Sequence, residues 1–221
     1  MVDEKRRYDA RRRRERAEQE RTATRRRVLD AAARLFVANG YTATAMADIG
    51  REAGVALQSV YKAGHSKAEL LHMVVDLAVA GDDDAVMLAD RAAFTAIGDE
   101  SNPRRQVQRF ADLIALIQER AGPLQAAYRQ AAAVDGTVAA SLAADHRRRL
   151  ETYTTVIATI PRRHLRRPVG ESAETAWALG SPETFLLLRD QLGWDGSRYR
   201  RWLRATLVAA LLADSVAVES S

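Results

Sequence analysis

The chain has almost nowhere to put a β-strand. Its 12 glycines and 5 prolines are spread thinly over 221 residues, and no Val/Ile/Thr-rich run alternates with period two for long enough to pair. Apolar residues recur instead at helical spacing from Thr24 onward, which predicts an all-α fold. A first helix is expected from about Thr24, with Val28, Ala32, Leu35 and Phe36 on one face and Gly40 as its stop. A second starts near Thr44, read as its N-cap, and turns Met46, Ile49 and Ala53 inward. A third covers about 56–63. A fourth, capped by Ser66, runs through "KAELLHMVVDLAVA" until "GDDD" (81–84) breaks the pattern. Further helices are expected at about 104–121, 123–134, 137–160, 172–180, 182–192 and 197–215. Pro103, Pro123, Pro161, Pro168 and Pro182 all fall at or near their edges, where proline is tolerated.

Three regions follow: a basic arm (1–24), a small helical head with its connecting helix (25–80) and a helical body (81–221). The apolar fraction of 47% suffices for a core. The formal charge of +5 is concentrated at one end. Residues 1–27 hold Lys5 and eleven arginines against six acids, whereas the rest of the chain is nearly balanced. Two readings of the arm stay open: a segment that orders on a phosphate backbone, or a solubilising tail with i,i+4 pairs such as Arg11–Glu15 and Arg16–Glu20. The absence of cysteine fits a reducing cytoplasm and rules out a thiolate metal site. The charged start is not followed by a secretory h-region, and the longest apolar runs fall short of the roughly 20 residues a membrane span needs. The expectation is a soluble cytoplasmic protein with no membrane partner.

The segment "GVALQSVYKAGHSKAELL" (54–71) carries the functional signal. At about 100° per residue, Leu57, Val60 and Tyr61 share one side of a short helix, and Gln58, Ser59 and Lys62 share the other. An amide, a hydroxyl and an ammonium facing outward suit base edges and phosphates, and a major groove admits a helix. Gly50 and Gly54, with Val60 six positions on, meet the demands of a helix-turn-helix: a close crossing, a left-handed turn residue and a packing residue. Two enzyme-like words fail on context. "GHSKA" follows a helix rather than a strand and ends in alanine, and "SVYK" lacks the companion motifs of the S-x-x-K enzymes. No nucleophile or acid/base set is found, so an enzyme is not expected.

In ordered detail, "RRVLDAAARLFVANGYTATAMADIGREAGVALQSVYKAGHSKAELL" (26–71) resembles the DNA-binding head of the TetR family of transcriptional regulators. "WALGSPETFLLLRDQLGWDGSRYRRWL" resembles a segment of actinobacterial members. The resemblance implies that Thr44, Tyr61 and Lys67 meet phosphates while Gln58, Ser59 and Lys62 face bases. It implies a homodimer closed by the last two long helices, with Phe185, Leu188, Leu192, Trp202, Leu203, Leu207 and Leu211 at the interface. It implies a cavity for an effector of unknown identity, with Met87, Phe94, Phe110, Ile114, Ile117, Tyr128, Tyr153 and Trp177 as candidate lining. Leu57 departs from a common lysine, Ala56 from a common serine cap, and Gly64 from a common aromatic.

The resulting expectation is a regulator, of the repressing kind, that binds a palindromic double-stranded DNA operator as a homodimer and is released by a small molecule. The competing class is a helical ligand-binding or protein-interaction module without sequence-specific DNA binding. No cofactor is expected. No metal is expected either, because His72, His146 and His164 show no ligand spacing with a carboxylate.

Overall fold

The computed structural model describes residues 2–81 and 92–213. Among them lie helices α1 (Val2–Ala43), α2 (Met46–Ala53), α3 (Leu57–Ala63), α4 (Lys67–Ala80) and α5 (Ala92–Gly98). The body continues with α6 (Pro103–Ala132), α7 (Gly136–Ala158), α8 (Val169–Leu179), α9 (Pro182–Leu192) and α10 (Gly196–Leu211). The extended backbone they contain is an antiparallel bridge between Leu165 and Leu212. No described helix is long and apolar enough to cross a membrane.

Local chemistry explains most helix starts. Asn102 accepts from the Arg105 N–H (3.0 Å) and is followed by Pro103. Ser181 accepts from Thr184 N–H (3.1 Å) and is followed by Pro182. Proline at the first helical position loses no bond. Ser66 accepts from Glu69 N–H (3.1 Å), and Glu69 accepts in turn from His65 N–H (3.0 Å), so both ends of this turn are satisfied. At the far end of α4, Gly81 takes φ +92°, and Arg120 of α6 donates to the Ala78 and Val79 carbonyls. A cation there complements both the last carbonyls and the helix dipole.

Two expectations about helix limits are corrected. The first helix extends back from Thr24 to Val2, through an arm rich in Arg, Glu, Gln and Ala, which are strong helix formers. Its Arg21–Glu18 pair at 2.8 Å adds a turn-to-turn contact. Gly40 interrupts the helical run where a stop was expected, its φ 76° and ψ 170° lying outside the helical range, and only residues 41–43 continue beyond it. The helices expected at 104–121 and 123–134 are one, with Pro123 inside α6. Packing overrides the local rule here: α6 is held by α1, α4, α7, α9 and α10, and Gly122 lies so close to Phe185 that a Cβ would stand 2.8 Å from its Cε1.

Two cores result. One joins Val28, Ala32, Phe36, Ile49, Val60, Leu70, Leu71 and Val74 of the head to Leu124, Ala127, Tyr128 and Val138 of α6 and α7. The other fills the body around Phe110, Ile114, Ile157, Phe185, Tyr199, Leu203 and Leu207. The division at residue 81 is therefore a break in the chain pattern, while the head's core runs across into the body.

The assignment of α9 and α10 to a dimer face needs correcting residue by residue. Phe185, Leu203, Leu207 and Leu211 are buried within the protomer, beyond the reach of a second copy. Leu188 and Trp202 are partly buried against the same core. Of the expected set, Leu192 stands out at 60% exposure, matched by Leu187 on the same helix. An apolar stripe identifies the buried side of a helix without saying whose core buries it.

Two glycine substitutions test the packing. Gly136 opens α7 with nothing within 4 Å of where a Cβ would stand, so Gly136→Ala should stabilise by about 0.5 kcal/mol through helix propensity. Gly122→Ala should instead cost about 1 kcal/mol, because overpacking against the Phe185 ring outweighs the same gain. Urea titrations of both variants measure the pair; an equal gain at the two positions would refute the close contact.

Candidate nucleic-acid interface

The junction of α2 and α3 is built on small contacts. Gly54 ends α2 with φ 65°, and its N–H donates to Arg51 O (3.2 Å) while Val55 N–H donates to Gly50 O (2.9 Å). A side chain at Gly54 would strain this left-handed turn. A Cβ on Gly50 would lie 3.3 Å from the Val60 Cγ2 and 3.2 Å from the Val55 carbonyl. Gly50, Gly54 and Val60 thus form one seam, with Val60 fully buried.

That seam leaves much of α3 outside. Gln58 and Lys62 are exposed and Ser59 is half-buried. Leu57 and Tyr61, expected to face inward with Val60, are 45% and 46% exposed. A seven-residue helix seated through one valine has a narrow buried stripe, and residues about 60° and 100° to either side fall at its rim. Leu57 and Tyr61 therefore join the outward surface.

Thr44 also differs from its expected role. Its hydroxyl is buried and donates to Gly40 O (2.8 Å) and Leu35 O (3.3 Å). It braces the Gly40 kink rather than capping α2. The N-cap is Ala45, whose N–H donates to the Asp48 carboxylate (3.1 Å), and Asp48 is paired with Arg51 (2.9 Å). The first intrahelical bonds of α2 come from Asp48 and Ile49 N–H to Ala45 O.

Lys67 begins α4 with its Nζ 3.0 Å from Tyr41 O and 4.2 Å above the Tyr41 ring centroid. The Tyr41 hydroxyl donates to Asp135 (2.6 Å), which also caps α7 through the N–H groups of Thr137 (2.9 Å) and Val138 (3.2 Å). These donors, Tyr41 foremost, hold the Asp135 carboxyl below the usual carboxylate range, and burial with the neighbouring acid pushes the Tyr41 phenol up. Thr44, Tyr61 and Lys67 border one shallow concavity of about 440 Å³, together with Leu57 and the start of α2. Ser59 and Lys62 border a second groove of about 650 Å³, shared with Glu18, Arg21, Arg25 and Arg26 of α1. Helix α3 is a ridge between two grooves. The arm's placement beside Lys62 could not be located from charge composition.

Behind the head, α4, α6 and α7 enclose a cavity of about 160 Å³. Of the expected lining, Ile114, Ile117, Tyr128 and Tyr153 border it. Phe110 stands behind, edge-on to Tyr153 with centroids 4.8 Å apart. Phe94 belongs to the body core, Trp177 backs Arg149 from outside the cavity, and Met87 lies outside the described residues. Sequence reasoning missed the polar lining: Gln118, Gln125, Asp145, His146, Arg148 and Arg149, together with Asp76. The helical spacing of Asp145, His146, Arg148 and Arg149 on α7 was readable, but the direction they face depends on α4 and α6.

One reading of the histidines is overturned. His72 Nε2 is 3.3 Å from Asp76, four residues on, and Nδ1 is 3.5 Å from Asp145. The donor atoms of these three residues lie within 4.8 Å of one another. Tyr128 completes the group by donating to Asp145 (3.0 Å), and Asp145 also pairs with Arg148. Burial pushes the Asp76 carboxyl above its ordinary value.

The comparisons with known proteins agree with this geometry. The family model "Bacterial regulatory proteins, tetR family" matches residues 28–74. No curated protein matches the chain. Among solved structures, a transcriptional regulator from Saccharomonospora viridis in complex with choline superposes with a TM-score of 0.66 at 18% identity, covering 86% of this chain and 97% of that one. NalD, the secondary repressor of the MexAB-OprM multidrug efflux pump in Pseudomonas aeruginosa, gives 0.67 at 19% identity, covering 89% and 99%. The SmeT–triclosan complex gives 0.63 at 18%, covering 90% and 96%. Helix-turn-helix geometry, the family match over the head and whole-length superposition converge: this chain has the fold of a TetR-family regulator, with a tetR-type DNA-binding domain at residues 28–74.

Proposed function

We propose that the chain is a transcriptional repressor that binds a palindromic operator as a homodimer and releases it when a small molecule fills the cavity behind the head. The observation that carries this reading is the α3 ridge, with Gln58 and Lys62 exposed along it, Tyr61 at its rim and Lys67 across the adjoining concavity. A ridge of this kind fits a major groove, with the flanking grooves receiving the two phosphate backbones. Gln58, Ser59 and Lys62 would read base edges; Tyr61 and Lys67 would hold phosphates. The start of α2, Ala45 to Ala47, borders the same concavity, and a helix N-terminus favours a phosphate. Arg21 and Arg25 add positive charge beside Lys62, which supports a role for the arm on the backbone.

A homodimer would set two α3 ridges roughly 34–36 Å apart, one turn of DNA. The outward surface of α9 and α10 supports that assembly through Leu187 and Leu192, with Ala205 and Ala209 small enough to let a second copy approach. Release follows from α4, which begins at Lys67 and brings Val75, Asp76 and Val79 to the cavity. A ligand that separates α4 from α7 would shift Lys67 and strain the Tyr41–Asp135 link. Coupling of this type is worth about 1–3 kcal/mol. The named neighbours support the pattern, since one is a repressor and two hold small molecules.

Two pairs of variants test the reading. Gln58→Ala should cost about 1–3 kcal/mol on a selected operator and relax one base preference. Lys67→Ala should weaken binding on every sequence and flatten the salt dependence by about one unit. Unchanged affinity in both would remove the assignment of α3.

The double variant Leu187→Asp, Leu192→Asp should sediment as a monomer and lose operator affinity by at least about tenfold, because each buried carboxylate costs several kcal/mol. A variant that stays dimeric would place the interface elsewhere.

A further inference from the structure

Arg149 is the least satisfied charge among the described residues. It borders the cavity between α4, α6 and α7, yet its Nε and Nη2 are sealed from solvent with no hydrogen-bond partner. Burial draws its pKa down from the ordinary arginine value. An arginine at such a depth keeps its charge, and buried cations are ordinarily paired. Glu183, the acid whose charge acts on it, is engaged by Arg129 at 3.2 Å. One face of the guanidinium is taken by Trp177, whose ring centroid is 4.4 Å from Cζ. The two unpartnered nitrogens form a single edge of the guanidinium plane, the side-on fork that matches the two oxygens of a carboxylate.

The remaining wall sets the rest of the ligand. Val75, Val79, Ile114 and Ile117 supply its apolar part, between Gln118, Gln125 and His146, and burial pushes the Tyr153 phenol up to about 12, so it stays neutral. Asp76 and Asp145 lie on the same cavity wall, with Arg148 and His72 already engaged by Asp145. Those carboxylates disfavour a second negative charge on the ligand. At about 160 Å³ the space is well below the roughly 300–1,000 Å³ of drug-sized sites.

We propose that this cavity binds a small monocarboxylate with an apolar or aromatic body, its carboxylate held side-on by Nε and Nη2 once the Arg149 side chain turns that sealed edge into the cavity. The inference deepens the effector reading by naming the ligand class, but its test needs no DNA. The carboxylate supplies the missing acceptors, and the body covers the faces of α4 and α6. Because Val75 and Val79 belong to the helix that starts at Lys67, the bound acid touches the element that carries the head.

The experiment is calorimetric titration of the free full-length protein with benzoate, benzamide and benzylammonium, followed by the same titrations on Arg149→Met and Arg149→Lys. Benzoate should bind at least about tenfold more tightly than its amide or the cation, since a bidentate charged pair replaces a neutral contact. Arg149→Met should lose that preference while melting at a higher temperature without ligand, as removal of an unpaired buried charge predicts. Arg149→Lys should recover less than the full preference, having charge without the fork. The wild-type comparison stands even if a variant misfolds, which circular dichroism would reveal. Equal binding of benzoate and benzamide, tighter binding of benzylammonium, no binding by benzoate, or undiminished benzoate binding by a folded Arg149→Met would each overturn the proposal. A gel shift with operator then separates the two readings: benzoate that binds without releasing DNA supports the carboxylate site and fails the effector role, whereas release by benzylammonium without benzoate binding does the reverse.

Discussion

Helix α4 buries Leu70, Leu71, Val74 and Val75, and it divides that surface between α1 of the head and α6 of the body. A fully buried leucine or valine contributes about 1.5–3 kcal/mol, so neither half can give up its share without a large loss. The head core accordingly continues into Leu124, Ala127 and Tyr128. Every functional feature hangs from this sharing: Lys67 stands at one end of the helix, the cavity opens on its middle, and Arg120 fastens its last carbonyls. A motion imposed on α4 has to appear at both ends, because a packed helix moves as a rod.

The polar contacts between head and body are few and specific by comparison. Tyr41 carries one of them, its hydroxyl donating to Asp135, while its carbonyl and ring hold Lys67 within the head. Asp135 in turn orders the first turn of α7, the helix that brings Asp145 and Arg149 to the cavity. Hydrogen bonds of this kind contribute about 1 kcal/mol each in net terms, small enough to be exchanged when a ligand binds. The apolar sharing through α4 holds the two parts together, and the polar chain sets the angle at which they are held.

Much of this was legible in residue order. Ser66 announced the start of α4, and Gly50, Gly54 and Val60 announced a close helix crossing, because caps and left-handed turns depend on one or two residues and their immediate neighbours. The failures share a cause. Thr44 had the chemistry of a cap, but its hydroxyl is consumed by the Gly40 carbonyl across the kink. Pro123 had the chemistry of a helix end, but α6 runs through it under packing from both sides. Leu203 and Leu207 had the apolarity of an interface, but the protomer's own core claims them.

Sequence alone settled the all-helical class, the limits of α2 to α4 within about two residues, and the glycine seam that turns α3 outward. Those depend on periodicity and on backbone conformations that few residues adopt. Only the tertiary structure decided which face of each long helix is enclosed, that α3 rests on Val60 with Leu57 and Tyr61 at its rim, and that Arg149 comes to lie unpaired beside a cavity. A side chain's partners are set by helices far away in the chain, and periodicity carries no information about which of two apolar or charged faces those helices will cover.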